Sequence, residues 1–159
     1  MTRLSMVLVG MAAVVGGACG DGGAGSMRAP LEETARFVGT WQAVSGRVTA
    51  TCPGYGTQSD PVQRRFRWTE GTDSDLVQTQ EGNRCTLKAA VDGDTAFGSA
   101  PACDPEGPSS TYTIAAYSFV LAGDGQMGRE TFTGTARAVV EDQVITCEVD
   151  VDATYRRVP

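Results

Sequence analysis

From Val144 to Tyr155 the chain reads VITCEVDVDATY, and the alternation is unbroken: Ile145, Cys147, Val149, Val151, Ala153 and Tyr155 on one side, Thr146, Glu148, Asp150, Asp152 and Thr154 on the other. Residues two apart share a face only in extended chain, so this stretch is a strand with one buried and one solvated side. The same period runs through residues 62–69, where Phe66 and Trp68 mark the apolar side and Arg64 breaks it, and through residues 85–91. Further extended segments are expected at 37–51, 75–80, 95–99, 111–121 and 130–140, separated by turn formers such as Asp92-Gly93-Asp94 and Gly123-Asp124-Gly125. A single helical turn is expected over Pro30–Arg36.

Connections this short leave no room for crossover helices, which makes the pairing antiparallel. The expected fold is all-β, with about eight antiparallel strands closing into a small up-and-down barrel; two packed sheets, a β-sandwich, are the alternative. Residues 31–159 form one domain's length of chain. A weak echo runs between Phe37–Cys52 and Phe132–Cys147, with seven identities in sixteen positions. It reads more simply as shared strand vocabulary than as duplication.

The N-terminus has a different texture. Arg3 is followed by an uncharged segment, Leu4–Ala18, and then by the Gly-rich stretch Gly20–Pro30. A short basic start with an apolar run ending in small residues is the pattern of an export signal, expected over residues 1–18. The apolar run is shorter than the roughly 20 residues of a membrane-spanning helix. Val15-Gly16-Gly17-Ala18-Cys19 resembles the lipobox of bacterial lipoproteins, although Gly16 stands where that pattern prefers Leu. The resemblance implies cleavage before Cys19, a diacylglycerol and a further acyl chain (palmitate) on that residue, and a membrane anchor in the bacterial cell envelope, facing the periplasm or the exterior. A secreted soluble form cleaved at an ordinary site is the alternative. Residues 19–30 then serve as lipidated N-terminus and flexible linker, with an end-to-end reach of roughly 18 Å.

Of five cysteines, Cys19 accounts for the odd one and leaves four. In an up-and-down barrel, Cys52 ends the first strand at the rim where Cys147 begins the last, and closure makes those strands neighbours. Cys85 and Cys103 reach the same rim through hairpin geometry. The expected disulfides are Cys52–Cys147 and Cys85–Cys103, because neighbouring strands meet the short Cα separation a disulfide needs.

Phe37-Val38-Gly39-Thr40-Trp41 resembles the Gly-x-Trp signature of lipocalins and related calycin barrels. That resemblance implies a Trp plugging one end of a barrel and packing on a late arginine, here Arg156 or Arg157. The family's Thr-Asp-Tyr turn is absent. The domain as a whole resembles small uncharacterised lipoproteins of δ-proteobacteria, which implies anchor and β-domain but no activity.

The chain has no histidine, which excludes Ser-His-Asp and Cys-His catalysis and removes the usual ligand of zinc and haem. Glu148, Asp150 and Asp152 share the outer side of one strand and read as a solvated face. Asp73 with Asp75, and Asp92 with Asp94, read as turn and loop residues, so no metal, cofactor or catalytic residue is assigned. With 19 acidic and 13 basic residues the chain has a net charge of −6, which disfavours a nucleic-acid partner. The cluster Arg64, Arg65 and Arg67 is the one dense basic feature, suited to anionic lipid or polymer. The expected function is a membrane-anchored structural or interaction domain that is not an enzyme, its partners being membrane lipid at Cys19 and an envelope protein. The alternative is a lipocalin-like carrier holding a small apolar ligand against Trp41, Phe66, Trp68 and Phe119; a carboxylate-based hydrolase is the least favoured reading.

Overall fold

The alternating segments pair in chain order, each with the next, and the last returns to the first. The computed structural model describes residues 29–80, 86–103, 110–140 and 143–159. A short helix α1 (Leu31–Ala35) precedes nine strands: β1 (Gly39–Cys52), β2 (Gly56–Pro61), β3 (Arg65–Glu70), β4 (Leu76–Gln80), β5 (Thr86–Asp92), β6 (Thr95–Cys103), β7 (Ser110–Leu121), β8 (Met127–Val140) and β9 (Gln143–Val158). All pairings are antiparallel, and β1 also pairs with β9, which closes the sheet.

Nine strands make an eight-position barrel because β2 and β3 share one position. Residues 39–42 of β1 pair with β3 and residues 47–52 pair with β2. Between the two, Ala43 N–H donates to the Arg64 carbonyl and Val62 N–H to the Gly46 carbonyl, so the wall carries across the break. The architecture is an eight-position closed antiparallel meander, consistent with a calycin-like barrel. β2 itself departs from the sequence expectation, which left residues 56–61 outside any strand. Its residues, GTQSDP, are all exposed and have no apolar side to report; they are extended because the upper part of β1 offers them a ladder.

The echo between residues 37–52 and 132–147 does not survive as architecture. From Gly39 onward the first copy is a single strand, β1, whereas the second takes in the end of β8 and the start of β9.

The inward residues of one half fill it completely. Phe37, Trp41, Phe66, Trp68, Leu76, Phe119 and Tyr155 are each no more than 1% exposed. Their rings pack edge-on, with Phe119 at the centre: Trp41 lies 5.0 Å away, Phe66 5.5 Å, Tyr155 6.2 Å and Trp68 6.4 Å between centroids. Small residues give this half its curvature and leave no space in it. A Cβ at Gly128 would overlap the Phe119 ring, and one at Gly46, where φ is +138°, would overlap Ala153 of β9.

α1 and the start of β1 seal that end. The Trp41 indole donates to the Phe37 carbonyl at 2.9 Å, and the Arg157 guanidinium lies 5.0 Å over the Trp41 ring while donating to the Arg36 carbonyl. Asp75 ties the segment ahead of α1 to the wall, one oxygen accepting from Ala29 N–H and the other from Val91 N–H.

The other end is braced by a disulfide between Cys52 and Cys147, whose Cα atoms lie 4.2 Å apart. It joins the first and last strands across 95 residues, a loop for which chain entropy alone corresponds to about 4–5 kcal/mol. Such a bridge belongs to an oxidising compartment. No helix among the described residues is long and apolar enough to cross a membrane. Cys19 and Cys85 lie outside the described residues, and with Cys85 the second expected pairing.

Candidate functional site

Arg64 breaks the apolar alternation of its segment because it has a partner waiting inside the barrel. It sits in the bend between β2 and β3, turned inward, with a side chain 24% exposed. On β8, Glu130 shares the inward parity of Phe132, Gly134 and Ala136 and is wholly buried. The Arg64 Nη2 group forms an ion pair with Glu130 Oε2. The Tyr155 hydroxyl completes a triangle: it accepts from Arg64 Nε at 2.7 Å and donates to Glu130 Oε2 at 2.8 Å. A buried charge persists only when paired and hydrogen-bonded in this way.

A second polar pair lies alongside, where Gln78 Nε2 donates to the Tyr117 hydroxyl at 2.7 Å. Burial first, and then the Glu130 charge, pushes the Tyr117 and Tyr155 phenols well above their ordinary range. For Arg64, burial works against the charge, but Glu130 and Tyr155 more than offset it and the guanidinium is held more firmly protonated than usual.

This cluster touches both halves of the interior. On one side the Tyr155 ring packs on Phe66 at 4.7 Å; on the other the Arg64 guanidinium lies 5.2 Å over Phe132, which stacks on Tyr117 at 6.5 Å. Beyond the cluster the inward side chains change character. Leu87, Ala100, Ile114 and Cys147 are buried there, whereas Val48, Val62, Tyr112, Phe132 and Val149 pack against the core but are only partly buried. The wall here includes β2, which among the described residues is hydrogen-bonded to β1 alone. The half of the interior on the Cys52–Cys147 side is thus apolar, with a neutralised ion pair at its floor.

The aromatic residues weighed as ligand-lining are placed elsewhere. Trp41, Phe66, Trp68 and Phe119 occupy the filled half, touch one another and present no surface to a ligand. Between Gln78, Leu87, Ala100, Tyr112 and Ile114 the gap is about 10 Å³, the size of one water at most. The larger hollows lie on the outside: a groove of about 850 Å³ beside Lys88, Phe97 and Ala116, and one of about 420 Å³ between Arg47, Thr131 and Asp150.

Three of the acids read from the sequence as loop, turn or outer-face residues are ion-paired. Asp73 pairs with Lys88, Asp94 with Arg36, and Asp152 with Arg129 through two hydrogen bonds of 2.9 and 2.6 Å. Among the described residues no group of three or more acids or cysteines is placed to hold a metal ion.

Sequence reasoning flagged Arg64 but missed Glu130, whose signal was available: a carboxylate on the same strand parity as Phe132, facing an arginine also on the wrong side of its strand. The late arginine on Trp41 is Arg157, as the lipocalin resemblance implied for one of two residues. The chain matches no family profile, no curated protein and no solved structure.

Proposed function

We propose that the domain is a lipocalin-like carrier that takes a small apolar ligand into the open half of its barrel. The observation that supports this is the asymmetry of the interior, packed with large rings at 0–1% exposure at one end and, at the other, carrying partly buried Val48, Val62, Tyr112, Phe132 and Val149 beside the smaller buried side chains Ala100 and Ile114. Small-molecule sites are concave and mostly apolar, with few polar groups to orient the ligand. Arg64 supplies that polar group. Because Glu130 already balances its charge, the floor favours a neutral ligand with at most one hydrogen-bonding group over an anionic one.

The reading includes no catalysis, in keeping with a chain that has no histidine. It also includes export and anchoring through an acylated Cys19, carried by the lipobox-like sequence. The exposed side chains of Tyr55 and Val144, at 59% and 58%, favour a second reading in which this end of the barrel docks an envelope protein.

Titration of the full chain with the neutral probe N-phenyl-1-naphthylamine tests the carrier reading. Saturable 1:1 fluorescence enhancement is expected, weakened at least tenfold by Val149→Glu with the melting temperature within a few degrees of the parent. Absence of saturation, or equal binding by the variant, overturns it.

A further inference from the structure

The arginine run at residues 64–67 is split by its own strand. Arg64 turns into the barrel, whereas Arg65 and Arg67 flank Phe66 and face outward. Barrel closure then adds a third member. Gln42 on β1 pairs with Arg65 on one side and with Arg156 of β9 on the other. Thr40 pairs with Arg67, and Arg67 with Thr79 of β4.

On the outer face, Arg65 and Arg67 are separated by about 7 Å along the strand, and Arg65 and Arg156 by about 10 Å across two strand spacings. Three guanidinium groups on long stems can converge on one point from those positions. A groove of about 380 Å³ lies there, its lining including Thr40, Arg65, Arg67 and Thr79.

Two further observations point to a ligand. Arg36, Arg64, Lys88 and Arg129 are each paired with an acid, yet Arg65, Arg67 and Arg156 have no ion pair among the described residues. In a chain of net charge −6 these three gather positive charge on one face without an acid partner among the described residues, whereas Arg47, Arg137 and Arg157, which also have none, lie outside the groove's lining. Moreover, Arg65 Nε is buried without a hydrogen-bond partner, and an unmade bond from a buried charged donor is costly to leave.

We propose that this groove binds a phosphate-type oxyanion, free or carried on a larger molecule. Arg65 and Arg67 supply charge and forked donors from the groove itself, the Thr40 and Thr79 hydroxyls supply neutral ones, and Arg156, outside its lining, adds charge from across β1. The site is separate from the barrel interior and does not depend on the carrier reading.

Its test follows the arginine Nε–Hε resonances of the full ¹⁵N-labelled chain during titration with sodium phosphate, against sodium chloride at matched ionic strength. A saturable shift specific to phosphate is expected, weakened at least tenfold by Arg65→Gln and by Arg67→Gln and unchanged by Arg137→Gln, an exposed arginine of β8. Vesicles distinguish the source of the group. Binding to phosphatidylglycerol vesicles in excess of pure phosphatidylcholine, competed by phosphate, assigns a lipid headgroup; phosphate binding without that excess assigns a soluble phosphorylated molecule. A linear, unsaturating response, or an equal loss in Arg137→Gln, overturns the proposal.

Discussion

The two halves of this barrel are built from the same alternating strands and solve different problems. At the α1 end, six aromatic side chains and Leu76 pack to exclusion of solvent, and Arg157 with the Trp41 indole seals the bottom. At the other end, the inward positions combine smaller buried residues such as Ala100 and Ile114 with partly buried Val48, Phe132 and Val149, and the Cys52–Cys147 bridge adds a covalent brace. The Arg64–Glu130–Tyr155 triangle marks the border. The difference teaches that the large-ring packing of an eight-position barrel can be concentrated in one half. The proposed ligand site in the other half depends on that concentration.

That division predicts unequal costs for the same truncation. Phe119→Ala removes a ring touching Phe37, Trp41, Phe66, Trp68 and Tyr155, and should destabilise by about 3–5 kcal/mol. Phe132→Ala removes a partly buried ring from the open half and should cost about 1–2 kcal/mol, since less area leaves the core. Urea denaturation of both variants measures the difference. Equal losses would mean that the open half is as tightly packed as the closed one, and the comparison would fail.

The border is tested by Glu130→Gln, which leaves Arg64 charged with Tyr155 as its remaining partner in the cluster. Breaking a buried pair costs about 3–5 kcal/mol when the survivor is trapped. Arg64 is 24% exposed and can turn toward solvent, so about 2–3 kcal/mol is expected here. Combining Glu130→Gln with Arg64→Met should recover most of that loss, because no unpaired charge then remains. A double variant as unstable as the single one would show that the cluster matters for shape and not for charge balance.

Much of this arrangement was readable before the structure, and the exceptions share a cause. Alternation reveals a strand when its two sides differ, as in residues 144–155, which became most of β9. β2 has no apolar side, so its pairing is decided by β1 and by nothing local. Glu130 was harder to read for a related reason: of its neighbours of like parity only Phe132 is large, and Gly128, Gly134 and Ala136 are small and mark an inner face weakly. Arg64 stood out because Phe66 and Trp68 do. The adjacent arginines appeared as one cluster in sequence, yet strand parity divides them between inside and outside, and only barrel closure brings Arg156 to the outer two.

The smallest expected effect comes from an ion pair that has the chemistry of the border pair without its burial. Arg129 and Asp152 form two hydrogen bonds on the outer face, with side chains 65% and 58% exposed. The hydrogen bond from Arg129 holds the Asp152 carboxyl below its usual range. A group whose folded-state pKa is lowered stabilises the fold above its unfolded pKa of about 3.9 and loses that contribution as pH falls through the folded value. Asp152→Asn should therefore lower the melting temperature slightly at pH 7, by no more than about 2 °C for an exposed pair, and have no effect near pH 2. High salt should shrink the difference further. A loss at pH 7 as large as that of Glu130→Gln would show that pairing itself sets the stability of this barrel, and not the burial that separates its inner ion pair from its outer one.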